Sequence, residues 1–536
     1  MELNVKSIVA EAEQWKDAGV ELPAYDIAAL KEHTKEAPEW VHFGPGNIFR
    51  DFIGGIADKL IAKGKMKSGI SAVAGYDAEI IEKIYEPCDN LTLSVGLKWD
   101  GTKELRVFAS IAEAVDPGTD PDKLKKLAEA ESLKLISFTI TEKGYVVADE
   151  AGKPTGPVAA DIEAGPDGAA TTMAQAVAML YYRFKAGAAP VTLVSLDNCS
   201  NNGDRLKASV LYLAEKWQEK GFVDSAFMAY VRDGKKVAFP LSMIDRITPR
   251  PDAKIAEELE AMGIKNMSPI VTKKQTWIAP FVNAELPRYL VIEDNFPNGR
   301  PPLEEAGVYM TDRESVMGTE RMKVGCCLNP LHTALAVCGC LLGYKKISDE
   351  MNDEELKKLV YALGDEGMAV TEDPGIIHPA DFVREVLKER LPNPFLPDTP
   401  QRIACDTSQK VPIRFGGTIN GYAALGRTAE LKYIPFVIAA WLRYLAGVDD
   451  ELNPMELSPD PRLDVLCKAL EAYRPGELSA DADLAALDAI LADEEYFASD
   501  LTKYPELSEK IRSDYRRLMQ GKGALRSALK ELLKED

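Results

Sequence analysis

Trp40-Val-His-Phe-Gly44-Pro-Gly46-Asn47-Ile48-Phe49-Arg50 is the stretch that sets the fold. A short apolar strand runs into a glycine turn. An amphipathic segment follows, with Phe52, Ile53, Ile56, Leu60 and Ile61 at helical spacing. Strand, tight turn and helix together open a dinucleotide-binding sheet, because the glycines let the backbone close and the first-turn amides of the helix point at a pyrophosphate. Phe49 stands where the third glycine of G-x-G-x-x-G belongs, so a plain turn also fits. On the first reading Gly44, Gly46, Asn47 and Ile48 contact the cofactor and Arg50 adds a phosphate-binding guanidinium.

Working outward, Ile70 to Asp77 reads as a second strand ending in an acid, 31 residues after Gly46. A carboxylate there binds a ribose diol and repels a 2′-phosphate, favouring NAD over NADP; the same aspartate also suits the N-cap of a helix over 78–85. Further strands are expected over 91–97, 105–111 and 133–141. The last ends in Thr141-Glu-Lys143-Gly-Tyr145, either a ligand loop at the carboxyl edge or a surface turn. Residues 153–168, rich in Gly, Pro and Ala, read as an exposed insertion. Thr171 to Lys185 is a helix whose Tyr181 packs inward. Val191 to Asp197 is a buried strand with Asp197 and Asn198 at its carboxyl end, where they serve a ligand, an Asx turn, or both. Asp245-Arg246 is either a substrate contact or a structural ion pair. After a strand at 287–294 the pattern turns helical. The expectation is an α/β protein, an N-terminal Rossmann-type doubly wound sheet followed by a mainly α-helical C-terminal domain. The segments are a helical extension over 1–37, the dinucleotide-binding domain over 38–290, and a substrate-binding and catalytic domain over 291–536.

The chain has 536 residues, 46% hydrophobic and 28% charged, with a formal net charge of −21. That field repels nucleic acid and anionic membranes, so neither is an expected partner. No charged-then-apolar leader and no run of 18 apolar residues is present, and a cytoplasmic location is the default expectation. None of the eight cysteines forms a C-x-x-C pair, and no metal is expected.

The second half carries the other chemical cluster, Lys323-Val-Gly-Cys-Cys-Leu-Asn329-Pro330-Leu-His332-Thr333. Asn329-Pro330 reads as a helix start, with Asn329 as N-cap and a buried helix running to Leu342 and stopping at Gly343. Lys323 then lies on a preceding strand end or loop. An amine, a carboxamide and an imidazole this close suit carbonyl chemistry; the bland alternative is a cap, a core histidine and a surface lysine. Arg402, Lys410 and Arg414 lie in a proline-punctuated region and could counter an anionic or polyhydroxy substrate. Gly416 to Gly421 reads as a turn. Asp483 to Lys534 reads as charged amphipathic helix, a solvated face or an oligomer contact.

Taken in order, these motifs resemble the polyol-specific long-chain dehydrogenases, the mannitol dehydrogenase family, from about residue 38 to about residue 520. The resemblance implies NAD-dependent oxidation of a secondary alcohol without a metal, NADP being possible, by a monomer or small homo-oligomer. It implies Lys323 as general acid/base, Asn198 and Asn329 gripping the reacting oxygen, and His332 positioning the substrate and tuning the lysine. Arg402 and Lys410 would contact distal substrate oxygens, with Asp245 and Arg246 beside them. Gly44, Gly46, Asn47, Ile48, Arg50, Asp77, Thr141, Lys143 and Asp197 would face the cofactor. The family commonly has four residues between this lysine and asparagine; here there are five. An irregular segment absorbs the extra residue, whereas a regular helix turns Lys323 away. The basic cluster resembles the hexuronate branch, which interconverts D-fructuronate and D-mannonate. Fructose and mannitol are the alternative substrates, and a nicotinamide-binding protein without turnover is the alternative from another class.

Overall fold

The computed structural model describes residues 1–479 and 481–534. They form two compact units, one of Met1–Lys98 and Thr102–Met317, the other of Trp99–Gly101 and Gly318–Asp536.

The first unit is built on a six-stranded sheet. Its strands are β1 (Trp40–Phe43), β2 (Ile70–Val73), β3 (Ile111–Val115), β4 (Leu135–Phe138), β5 (Val191–Ser195) and β6 (Val237–Ala238). Their spatial order is 3-2-1-4-5-6 and every pairing is parallel. This is the doubly wound dinucleotide-binding order, with its switch point between β1 and β4. β1, β2, β4 and β5 are buried along their whole length, as parallel strands covered on both faces must be. One core cluster packs α2 (Thr172–Lys185) and α3 (Asn202–Glu219) on the sheet, through residues such as Val177, Leu180, Leu206 and Trp217. A second gathers Phe49, Phe52 and Ile53, with Ile56 and Leu60 of α1 (Gly54–Ala62), under Ile70 and Leu135. Tyr181 packs edge-on against Phe227, as a core tyrosine should.

Three smaller β arrangements flank this sheet. One four-stranded sheet joins Val20–Glu21, Lys103–Phe108, Thr92–Leu97 and Phe281–Glu285, so the first 37 residues supply a strand as well as helices. A three-stranded sheet pairs Ser242–Asp245, Tyr289–Glu293 and Tyr309–Thr311. The parallel pairing of Tyr309–Thr311 with Tyr289–Glu293 moves the domain boundary from the expected 290 to 317/318. A two-stranded hairpin, Ile270–Val271 with Trp277–Ile278, completes the set. Residues 153–168 are no simple exposed insertion. Gly156–Ala164 is helical, burying Val158 and Ile162, and Asp161 accepts from the amides of Ala170 and Thr171.

The second unit is helical. A run over residues 313–342, whose first five residues belong to the first unit, comprises α4 (Arg313–Met322), a π-helical turn (Lys323–Cys327) and α5 (Asn329–Leu342). It is long and apolar enough to cross a membrane by length and composition, but its most apolar window is 78% buried within the protein, as a core helix would be. Gly343 in the left-handed region ends it, at φ 80°. α5 packs against α6 (Glu354–Met368), α7 (Pro400–Ile403), α8 (Thr407–Arg414) and α9 (Tyr433–Tyr444). Gly416 to Gly421 is helix rather than turn: a side chain at Gly416 would collide with Ala498 and one at Gly421 would crowd Val370. These glycines serve close packing. Beneath α5, Glu350 is fully buried against Gly339 and both its carboxyl oxygens lack hydrogen-bond partners. Burial pushes this acid up to about 10, so it is protonated at neutral pH.

Candidate active site

Two groups of chemically capable residues stand out, one in each unit. The first lies at the carboxyl edge of the parallel sheet. β1 ends at Phe43, Gly44 takes φ 98°, and helix begins at Asn47. A side chain on Gly44 would strike the Thr139 carbonyl of β4's extension, so only glycine fits there. Gly46 has no atom within 4 Å of where a Cβ would lie, which leaves open space over the helix start. Asn47 Oδ1 is buried without a partner, while its Nδ2 donates to the Trp277 carbonyl at 3.1 Å. Open space and first-turn amides fit a dinucleotide pyrophosphate. Ile48 is in that first turn, half-buried.

Arg50 departs from expectation. It is 1% exposed, and its Nη1 and Nη2 donate to the carbonyls of Ala279 and Pro280 at 2.7 and 2.9 Å. Those bonds tie the helix to the chain after the hairpin and leave no phosphate role for this guanidinium. Asp77 ends β2's extension, but its Oδ2 accepts from the hydroxyls of Thr272 and Thr276, both at 2.6 Å. Its reading as a helix cap gives way to that of a hairpin anchor. Asp197 accepts from the amides of Ile140 and Thr141 at 2.8 and 2.9 Å and from the Tyr145 hydroxyl at 2.7 Å. Burial raises its pKa while these donors oppose the rise. It therefore braces the single helical turn Thr141–Gly144 from within instead of presenting itself to a cofactor. Thr141, at φ 65°, and Lys143 are exposed on that turn. Asn198, one residue further, is exposed at the same sheet edge.

Asp245 ends its strand 5% exposed. Arg246 pairs with Asp51 at 2.6 Å and lies over the Phe52 ring at 5.4 Å. The ion pair thus runs from 246 to 51, within the core of the first unit, and Arg246 is a structural cation instead of a substrate contact. The side chains of Arg246 and Asp51 are 3% and 0% exposed, so losing either partner would strand a buried charge.

The second group surrounds the start of α5. Lys323 opens the π turn and is 4% exposed. Its carbonyl accepts from the Leu328 amide at 3.1 Å, five residues on, the wider spacing of a π turn. Lys323 is therefore on neither a strand end nor a loop. Leu328, at φ −130° and ψ −60°, is the cap, and Asn329 is the first residue of α5 instead of its N-cap. A π turn accommodates one residue more than an α turn, which is where the fifth intervening residue goes.

His332 lies in the first turn of α5, its side chain 14% exposed, with Nε2 3.4 Å from Asp398 Oδ2. The contact is electrostatic, since Nε2 makes no directed hydrogen bond. Burial pushes the imidazole down to about 4. The Asp398 charge opposes that, and the charges of Arg414, Arg402 and Arg390 add to it. His332 is neutral at pH 7. Asp398 also pairs with Arg402, whose side chain is 58% exposed. Arg414 donates to Thr333 Oγ1 and lies 3.4 Å from the Asn329 carbonyl, and burial lowers its pKa to about 10. Lys410, half-buried, donates to the carbonyls of Ile403 and Cys405, and burial depresses its pKa. α8, which carries Lys410 and Arg414, packs on the π turn that carries Lys323. The structure thus gathers Asn329, His332, Arg402 and Arg414 round one helix start, with Lys410 and Lys323 on adjoining turns. Sequence reasoning missed Asp398 and the Thr272–Thr276 turn. The second has a visible signal, a five-residue polar segment between two short apolar runs.

Comparison with known proteins agrees with both halves. The model of the mannitol dehydrogenase Rossmann domain matches residues 38–305 and that of the mannitol dehydrogenase C-terminal domain matches 315–519. A D-mannonate oxidoreductase of Thermotoga maritima is 49% identical over 540 residues, covering 99% of each chain. The Pseudomonas fluorescens mannitol 2-dehydrogenase, solved as a ternary complex with NAD and D-mannitol, is 27% identical, with a TM-score of 0.68 over 100% of both chains. A D-sorbitol dehydrogenase solved in substrate-free form shares the fold at TM-score 0.80, with 24% identity over 96% of this chain and 98% of that one. With both of its domains matched in order and nearly half its residues shared with one full-length relative, the chain belongs to the mannitol dehydrogenase family, whose members are nicotinamide-dependent oxidoreductases.

Proposed function

We propose that this protein interconverts D-fructuronate and D-mannonate by hydride transfer with a nicotinamide cofactor, without a metal. The observation that carries the substrate class is the electrostatics around α5. In a chain of net charge −21, Arg402, paired with Asp398, and Arg414, on Thr333, gather at the helix start beside His332, with Lys410 on the adjoining α8. A neutral polyol gains little from such a concentration of cations; a sugar carboxylate gains charge-assisted hydrogen bonds. The 49% identity to a D-mannonate oxidoreductase supports the same choice.

When bound, the nicotinamide supplies or accepts the hydride. The protein's own residues handle the proton and the orientation. In the reductive direction the Lys323 ammonium gives its proton to the ketone oxygen as that oxygen gains charge. In oxidation the neutral amine takes the hydroxyl proton back. The carboxamide of Asn329 holds that oxygen, a role that strengthens as charge develops. His332 is neutral and orients a substrate hydroxyl, and Arg402 and Lys410 take the distal oxygens. Gly44, Gly46, Asn47 and Ile48 hold the pyrophosphate, while Thr141 and Lys143 line the same sheet edge. A cytoplasmic setting fits eight free thiols, most of them buried.

The test is a panel of ketouronates and ketoses with reduced cofactor. Turnover of fructuronate at least 100-fold more efficient than fructose is expected. Comparable or better turnover of fructose would give the enzyme to the mannitol branch instead.

A further inference from the structure

The hairpin between Ile270 and Ile278 sits on the edge where a dinucleotide would lie. Its turn is held by Thr272, whose amide donates to the Thr276 carbonyl at 3.0 Å and whose hydroxyl accepts from the Thr276 amide at 3.0 Å. It is fixed to the glycine turn through Asn47 and the Trp277 carbonyl, and to the end of β2 through Asp77. The end of β2 is where a dinucleotide-binding sheet meets the adenosine ribose, and the charge there decides between a free 2′-hydroxyl and a 2′-phosphate.

In the usual NAD-selective arrangement a bare carboxylate faces the ribose. Here Asp77 is 6% exposed and two threonine hydroxyls occupy its Oδ2. What the strand end exposes is Tyr76, at 67%. Over its ring, 4.4 Å from the centroid, lies the ammonium of Lys274, which also donates to the Tyr76 carbonyl. An ammonium has three donors and is a compact point charge suited to phosphate. Two acids are close: Asp77, whose Oδ2 accepts from two hydroxyls, and Glu79, whose Oε2 accepts from the Lys273 amide at 2.9 Å. Lys273 and Lys274 are exposed there while Asp77 is buried and Glu79 half-buried, so the charge most open to solvent beside Tyr76 is positive.

We propose that Lys274, poised on Tyr76 at the end of β2, is a 2′-phosphate contact that lets this enzyme take NADPH as well as NADH. The proposal rests on reading the Gly44–Ile48 turn as the dinucleotide site. It is tested by binding as well as turnover. Dissociation constants for NADH and NADPH are measured by fluorescence quenching on the intact enzyme and on Lys274→Ala and Lys274→Arg. AMP and adenosine 2′,5′-bisphosphate serve as competitors that differ only by the 2′-phosphate. Wild type should bind NADPH within about tenfold of NADH and prefer the bisphosphate to AMP. Lys274→Ala should move the NADPH-to-NADH affinity ratio about tenfold against NADPH, more at low salt, and Lys274→Arg should largely restore it. An unchanged ratio in Lys274→Ala, or NADPH binding 100-fold weaker than NADH in wild type, overturns the proposal while leaving the dinucleotide site standing. Failure of either dinucleotide to bind would overturn the site itself.

Discussion

Both candidate sites are built on a helical run that contains a π turn, but the turn stands at different places relative to the working residues. In the first unit the helix starts at Asn47 and the π turn, Phe49–Ile53, follows. In the second, the ten-residue α4 precedes the π turn, Lys323–Cys327, and α5 starts after it. The difference separates two jobs. The glycine turn has to expose backbone amides to an anion, so the helix opens cleanly and the irregularity is pushed downstream. The second site has to place side chains, so the irregularity comes between Lys323 and Asn329 and resets their relative direction. Backbone recognition tolerates variation in side chains, and side-chain chemistry tolerates variation in the backbone.

The strongest break in that comparison is Lys323→Ala. It should lower kcat by about 10³-fold or more while shifting the NADH dissociation constant by less than about threefold. Activity near wild type would show that the π turn presents nothing chemical. Gly44→Ala comes next. With φ at 98° and the Thr139 carbonyl in the way, it should cost about 3 kcal/mol or more, read as a lower denaturant midpoint. A variant as stable as wild type would mean that the turn is less constrained than its geometry implies.

Each site also holds a buried neutral histidine, His42 pushed down to about 3 and His332 to about 4, burial being the main cause in both. Below pH 6.5 the unfolded chain takes up protons that these rings refuse, so their stabilisation is complete above 6.5 and is lost as pH falls toward 4. For His42 alone the loss between pH 7 and 4.5 is about 2–3 kcal/mol. Replacing His42 by Gln should flatten that limb of the stability–pH curve, and an unchanged slope would count against a neutral ring. Glu350 has the opposite sign. An acid with its pKa raised to about 10 penalises the fold increasingly as pH rises above the unfolded value, so Glu350→Gln should stabilise at pH 7 by about 2 kcal/mol and hardly at all at pH 4. Equal stabilisation at both pH values would assign the gain to packing instead. The smallest effect belongs to Gly46→Ala. With empty space at the Cβ position it should fold normally and weaken dinucleotide binding by about tenfold, because the methyl enters the room left for the pyrophosphate.

The first unit was largely legible in the chain because parallel strands and a glycine turn leave strong local patterns. Trp40 to Ile61 declared strand, turn and helix, and the next strands followed by their unbroken apolar runs. What escaped was the assignment of partners. Arg50 and Asp197 looked like ligand groups because a charged residue near a strand end is ambiguous in sequence; the carbonyls and amides that take them up come from 56 to 230 residues away. The second unit was harder for a different reason. Asn-Pro is a fair helix-start signal, yet here helix also precedes it, and no propensity marks a π turn. Gly416 and Gly421 misled because a glycine chosen for close helix packing has the same letter as one chosen for a turn.

His42 also has a mechanical consequence. Its ring stacks on Phe49 at 3.9 Å with only 6° between the planes, while Nδ1 and Nε2 engage the hydroxyls of Ser137 and Thr139. The stack joins the strand before the glycine turn to the helix after it, and the hydroxyls join both to the neighbouring strand. The loop is thereby braced on its two shoulders before any nucleotide arrives. Its conformational freedom is surrendered once, when the chain folds, so binding need not immobilise it again and affinity is not diluted by that ordering.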